Sequence, residues 1–187
     1  MVAAEMIIAA GQFSAGSDPG ENTTAARRLI AAAAAAGAQL VVLPESSLYG
    51  TSEAAGAIAA VAEDLDGPFI RNIAAFAKEH AIAVLVGTYE RTDAGLPYNT
   101  LVALDRRGDV LGCYRKVHLL AANQTGPLAT GFSMAVDPAG VVVANAGEEP
   151  GLIVARLSRG RLARVRAQVP VLENRRYAVV PSPDVTR

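Results

Sequence analysis

Apolar and polar residues change rhythm several times along the chain, and each change marks an element. Met6 to Phe13 (MIIAAGQF) is a short apolar run closed by a Ser/Gly/Asp/Pro cluster, the pattern of a buried strand followed by a loop. Asp18, Pro19 and Glu21 then announce a helix: an acid to cap it, a proline for its first position and a glutamate where a capping box places one. The helix continues through Ala31 to Ala36, and Gly37 supplies its stop. Leu40 to Leu43 (LVVL) is short, branched and apolar, which suits a strand buried on both faces, so the opening of the chain reads as a βαβ unit with parallel strands.

Two helical stretches follow, about Ser52 to Leu65 and Pro68 to His80, divided by Asp66-Gly67-Pro68. Ile82 to Thr88 reads as a core strand. Thr100 to Leu104 and Val110 to Tyr114 flank Asp105-Arg106-Arg107-Gly108-Asp109, a loop of hairpin length. A second hairpin joins Phe132 to Val136 with Val141 to Ala144 across Asp137-Pro138-Ala139-Gly140, and Leu152 to Ala155 adds one more strand. From Ser158 onward the chain is rich in arginine and weakly patterned. Neither an internal repeat nor a linker divides residues 1–187, so the expectation is a single α/β domain with antiparallel additions.

Composition narrows the function classes. The 187 residues carry 17 Lys and Arg against 18 Asp and Glu, a formal net charge of -1, which gives no electrostatic reason to expect a nucleic-acid or anionic-membrane partner. With 51% hydrophobic and 19% charged residues the chain can bury a substantial core. Tryptophan is absent, so stacking platforms for bases are not expected. Cys113 is the one cysteine, which excludes an internal disulfide, and with only His80 and His118 beside it no paired zinc-ligand spacing exists. The longest apolar stretch, Leu29 to Leu43, is broken by Gly37 and Gln39 short of a membrane span, and Met1 to Phe13 lacks a basic region. A cytoplasmic setting is expected, in which the Asn22 and Asn123 sequons carry no weight.

Four positions are candidates for chemistry. Glu45 directly follows the Leu40 to Leu43 strand, at the carboxyl end where α/β folds place ligand sites; from position alone an ordinary solvated loop glutamate is the first reading. Lys116 ends the Val110 to Tyr114 strand within YRKVHL, where it suits either an oxyanion donor or an edge-strand lysine that discourages aggregation. His118 shares the strand parity of Lys116 and is otherwise a satisfied core histidine. Cys113, three residues before Lys116, points to the opposite face if the strand has no bulge and is expected as a buried, inert thiol. Gly131-Phe132-Ser133-Met134-Ala135 only half matches a nucleophile elbow, since both histidines precede Ser133 and a turn follows where a helix is needed. Gly16 to Gly20 lacks the spacing of a phosphate-binding loop.

Taken in order, these segments resemble the nitrilase superfamily, the carbon-nitrogen hydrolases. The resemblance covers LVVLPESSLY (Leu40 to Tyr49), Gly87 to Tyr98 with Asn99-Thr100, YRKVHL (Tyr114 to Leu119), Ala122 to Gly126, GFSMAVDPAG (Gly131 to Gly140) and PVLENRRY (Pro170 to Tyr177), the last similar to the family's C-terminal arm. The flavour is that of the small amidases. The resemblance implies a four-layer αββα sandwich, paired through a helical face, and a Glu, Lys and Cys triad in which Glu45 matches the general base and Lys116 the oxyanion-stabilising lysine. In the family mechanism a thiolate attacks the amide or nitrile carbon, ammonia or an amine leaves, and water releases the acid from a thioester. No metal or organic cofactor is implied.

The sequence departs from this pattern where the nucleophile belongs. The family carries a long block with the catalytic cysteine between the lysine strand and the Asn-Gln-x-Gly strand, whereas here Leu119-Leu120 run straight into Ala121-Ala122-Asn123. The expectation is thus a nitrilase-like sandwich shortened by several central strands and helices, with a junction near 119–122 and no residue matching the nucleophile. Three readings remain open: an amidase-type hydrolase that keeps Glu45 and Lys116 but is inactive, a non-catalytic binder of small amide-like molecules or of family relatives in a homo- or hetero-oligomer, and a deletion product without a function of its own.

Overall fold

The first apolar run forms β1 (Glu5–Gln12), followed by α1 (Pro19–Ala35) and β2 (Leu40–Val42), and β1 and β2 pair in parallel with Ile8 opposite Leu40 and Ala10 opposite Val42. A computed structural model describes residues 5–50, 55–93, 95–117 and 131–176. The Asp18 carboxylate caps α1 by accepting the N–H groups of Gly20 (2.7 Å) and Glu21 (3.2 Å), and Gly37, at a φ of 77°, turns the chain out of it. Asn22, Ala26, Ile30 and Ala33 form the buried stripe of this helix.

The two helices that follow are α2 (Ala55–Val61) and α3 (Pro68–Glu79). α2 ends four residues before the expected Leu65 because the chain changes partner: the N–H of Glu63 donates to the carbonyl of Tyr89 (3.1 Å), and the N–H of Arg91 to the carbonyl of Glu63 (2.9 Å). The Glu63 carboxylate also accepts the N–H of Phe69 (2.7 Å), capping α3 where Gly67 has no side chain to offer.

β3 (Ala83–Glu90) joins β2 in parallel, and β4 (Tyr98–Leu104) and β5 (Val110–Arg115) follow as the expected antiparallel hairpin. Its turn is fixed by Asp105, whose Oδ1 accepts from the N–H groups of Arg107 (2.7 Å) and Asp109 (3.0 Å). The second hairpin is β6 (Met134–Val136) with β7 (Val142–Asn145), and β8 (Gly151–Ser158) runs antiparallel to β1. The six-stranded sheet has the order β5-β4-β3-β2-β1-β8. Buried Gln12 ties the second hairpin to the end of β1, donating Nε2 to the carbonyls of Gly147 (2.9 Å) and Glu149 (2.8 Å) and accepting the N–H of Ser133 (2.8 Å).

Strand alternation gives this sheet two unlike faces. Val84, Val86, Val102 and Leu104 bury against Ile30, Phe69 and Ile73 of α1 and α3. The other face carries Leu101 and Tyr114, both exposed. Of the four layers that the resemblance implies, the described residues show one helical layer, α1 and α3, on a six-stranded sheet, and a separate two-stranded sheet of β6 and β7. The arginine-rich segment after Ser158, expected without pattern, is a helix, α4 (Arg159–Gln168), capped by Ser158, whose hydroxyl accepts the N–H of Arg161 (3.2 Å). It buries no residue, which explains why no apolar stripe announced it. No helix among the described residues is long and apolar enough to cross a membrane.

Candidate active site

β2 ends in a turn that lays Glu45 over the middle of β3. Leu43 extends the ladder by one bond, its N–H donating to the carbonyl of Leu85 (2.8 Å), and Pro44, without an N–H, cannot continue it. The chain instead rises over Gly87, whose N–H donates to the carbonyl of Pro44 (3.2 Å). A Cβ at position 87 would overlap the backbone of Glu45, so only glycine permits this crossing. The rest of the loop is fixed by Ser47, donating to the carbonyl of Pro44 (2.7 Å), by a Ser46–Tyr89 hydroxyl pair (2.9 Å), and by buried Asn22, whose Nδ2 reaches the carbonyls of Gly16 (2.8 Å) and Leu48 (3.0 Å). Asn22 is buried and its side chain fully engaged in holding this loop.

Lys116 arrives at the same place from the edge strand. Its N–H donates to the carbonyl of Asn99 (2.8 Å), and its Nζ donates to Glu45 Oε1 (2.6 Å). Asn99 Nδ2 donates to that same oxygen, also at 2.6 Å. These groups line an open cleft of about 310 Å³ with Leu43, Gly87, Leu101 and Tyr114. The hydrogen bond from Lys116 holds the Glu45 carboxyl below its ordinary pKa; partial burial works against it, and the Asn99 hydrogen bond and the lysine charge add to it. Glu45 is therefore ionised at neutral pH and able to accept a proton, beside an ammonium with further N–H groups to offer a developing oxyanion.

One residue earlier, Arg115 turns to the opposite face and grips Glu90, with Nε to Oε2 at 2.8 Å and a guanidinium nitrogen to Oε1 at 2.5 Å, while Thr100 donates to Oε2 at 2.9 Å. The Arg115 guanidinium also stacks 4.5 Å from the Tyr98 ring centroid. The arginine holds the Glu90 carboxyl below its ordinary pKa in spite of burial. This pair anchors the outermost strand immediately before Lys116.

Glu45 and Lys116, each open to an ordinary reading on sequence alone, are thus brought together, and Cys113 is not. In the β4–β5 register Cys113 lies opposite Val102, on the face away from Leu101 and Tyr114, as its parity requires; the register shift falls beyond it, between Ala103 and Leu104. The expected burial of Cys113 is wrong: the thiol is exposed, on the strand that is outermost among the described residues. His118, the junction at 119–122 and Ala122 to Gly126 lie outside the described residues. Among the described residues no cluster of His, Cys, Asp or Glu could hold a metal ion. Gly87 and Asn99 are site residues that the sequence reading missed. A glycine inside the apolar strand Val84 to Thr88 is the signal for a close backbone approach, and Asn99 shares its strand face with Leu101.

Comparison with known proteins agrees with this geometry. The profile of the carbon-nitrogen hydrolase family matches residues 7–128, more than half of the chain. The chain belongs to the carbon-nitrogen hydrolase family. It is 32% identical over 129 residues to omega-amidase NIT2 of Pongo abelii, covering 68% of this chain and 46% of that protein. It is 46% identical over 61 residues to deaminated glutathione amidase of Escherichia coli O157:H7, covering 33% of this chain and 23% of that protein. The chain therefore spans less than half the length of these relatives. Among solved structures, NitFhit of C. elegans superposes with a TM-score of 0.84 at 17% identity, over 94% of this chain and 66% of that one, which establishes the nitrilase-like α/β fold.

Two outcomes follow from this arrangement. Gly87→Ala should destabilise the protein by about 1–3 kcal/mol in urea unfolding, the usual range for forcing atoms into packed space, because the backbone of Glu45 must move. As for pH, Glu45 and Glu90 both titrate below their unfolded value, so the stability they contribute is present above that value and lost as the pH falls from about 4.5 through their lowered pKa values. Stability measured from pH 7 to pH 2 should fall along this limb, and Glu90→Gln should lower the pH 7 value and flatten the limb.

Proposed function

We propose that this chain binds small amides at the Glu45–Lys116 pair and does not turn them over at a substantial rate. The observation that carries the reading is the 2.6 Å contact between a carboxylate and an ammonium in one cleft, while the sole cysteine of the sequence lies on the other face of the sheet. A base and an oxyanion donor without a thiolate form no acyl-enzyme. General acid–base assistance of direct water attack contributes about 10²–10⁴-fold, without the division of one difficult step into two easier ones that a covalent route supplies. The names of the relatives, an omega-amidase and a deaminated glutathione amidase, support a short carboxamide as the ligand class. The net charge of -1 gives no electrostatic reason for a nucleic-acid or membrane partner, and the reading places the protein in the cytoplasm, with Cys113 a reduced thiol.

The test is an assay of short ω-amides under reducing conditions with the parent chain, Glu45→Ala and Cys113→Ala. No release of ammonia above buffer is expected from any of the three. Turnover by the parent chain that either substitution abolishes would sink the reading.

A second reading, assembly with another copy or with a full-length relative, is favoured by the exposed apolar residues Val110, Leu111, Tyr114 and Val117 along the unpaired outer strand. Light scattering, alone and after mixing with an intact relative, should then report a defined oligomer. A stable monomer under both conditions contradicts assembly, and aggregation without a cooperative melt marks a deletion product.

A further inference from the structure

Asn99 touches both members of the pair, each with a different part of the residue. Its main-chain carbonyl accepts the N–H of Lys116 (2.8 Å), and its side-chain Nδ2 donates to Glu45 Oε1 (2.6 Å). The orientation of the amide is fixed by chemistry, since an ionised carboxylate only accepts and Asn99 can meet it only with its nitrogen. Its strand partner on β3 is Tyr89, whose hydroxyl holds Ser46, so neighbouring positions on two strands grip successive residues of the loop after β2.

The lysine alone is a weak constraint. The side chains of Lys116 and Glu45 are 37% and 57% exposed, and exposed ion pairs contribute about 0–1 kcal/mol and leave long side chains free to rearrange. A second donor on a shorter, strand-borne side chain removes that freedom. With Lys116 and Asn99 both on Oε1, no described residue donates to Oε2.

Building on the reading of Glu45 as the base, we infer that Asn99 is the positioning residue of this site: it fixes the rotation of the Glu45 carboxylate so that Oε2 is the oxygen presented to a ligand proton. Asn99 acts through Glu45 and takes no part in proton transfer. A side chain present only to complete the strand would leave the ionisation of Glu45 indifferent to its chemistry. A positioning donor makes that ionisation depend on position 99 in a set order.

The experiment is an NMR titration of the Glu45 side-chain carboxyl carbon in the ligand-free protein. The midpoint should rise from the parent chain to Asn99→Leu, which removes the donor, and rise further in Asn99→Asp, which sets a second carboxylate against the first. Thermal melts of the variants confirm that they fold. In the parent chain, the Asn99 side-chain amide resonances should shift with the Glu45 midpoint, a measurement that needs no variant. Identical Glu45 midpoints in the parent chain and Asn99→Leu, or Asn99 amide resonances that ignore the titration, would overturn the inference. None of these readouts involves amide turnover, so a failure of the functional reading in the assay above is seen separately.

Discussion

The crossing of Glu45 over Gly87 is the constraint on which the site depends. β2 and β3 are central parallel strands, and side chains normally stand between such a sheet and anything that passes over it. At position 87 the gap closes to backbone on backbone, with the N–H of Gly87 on the carbonyl of Pro44. Pro44 ends the ladder and Gly87 lets the chain come down, so the carboxylate of Glu45 comes within hydrogen-bond distance of groups on β4 and just past the end of β5. A larger residue at 87 would lift the loop and draw the carboxylate away from both donors.

Pleat alternation then does two tasks with adjacent residues. Arg115 goes to the helix-covered side, where Glu90 is nearly buried and Thr100 fully so, and Lys116 goes to the open side. The two ion pairs are not equivalent. Glu90 is largely shielded from water and takes three hydrogen bonds from Arg115 and Thr100. The Glu45–Lys116 pair is half in solvent and is worth little to stability. Glu90, itself buried, holds the edge strand through a half-exposed Arg115, and the Glu45–Lys116 pair faces the open cleft.

What could be read in the sequence was what local chemistry decides. The first strand, the Asp18 cap, the Gly37 stop and the parallel β2 follow from residues within a few positions of one another. The premature end of α2 did not, because Glu63 leaves the helix for partners at Tyr89 and Arg91, almost thirty residues away. α4 had no buried face to imprint a period on its sequence, and Ser158 was its only local signal. Glu45 and Lys116 could be nominated separately from strand ends, and the resemblance to the family joined them. The role of Asn99 depends on a contact 54 positions apart in the chain, and Cys113 is exposed on the strand that is outermost among the described residues; neither leaves a mark in its own neighbourhood.

Every described group that builds the Glu45–Lys116 arrangement lies between Gly16 and Lys116: the loop clamp of Asn22, the glycine at 87, the Tyr89 and Asn99 contacts, and the Glu90–Arg115 anchor. All of it ends at Lys116, inside the span that matches the family profile. The segment after that point meets the rest of the chain elsewhere, through Gln12 at the end of β1 and the pairing of β8. Glu45 and Lys116 therefore meet without help from any described residue after Lys116. It follows that a well-formed pair is evidence that the first half of the fold is intact, and is not by itself evidence of selection for hydrolysis. The one thiol in the sequence lies on the face of the sheet away from Leu101 and Tyr114.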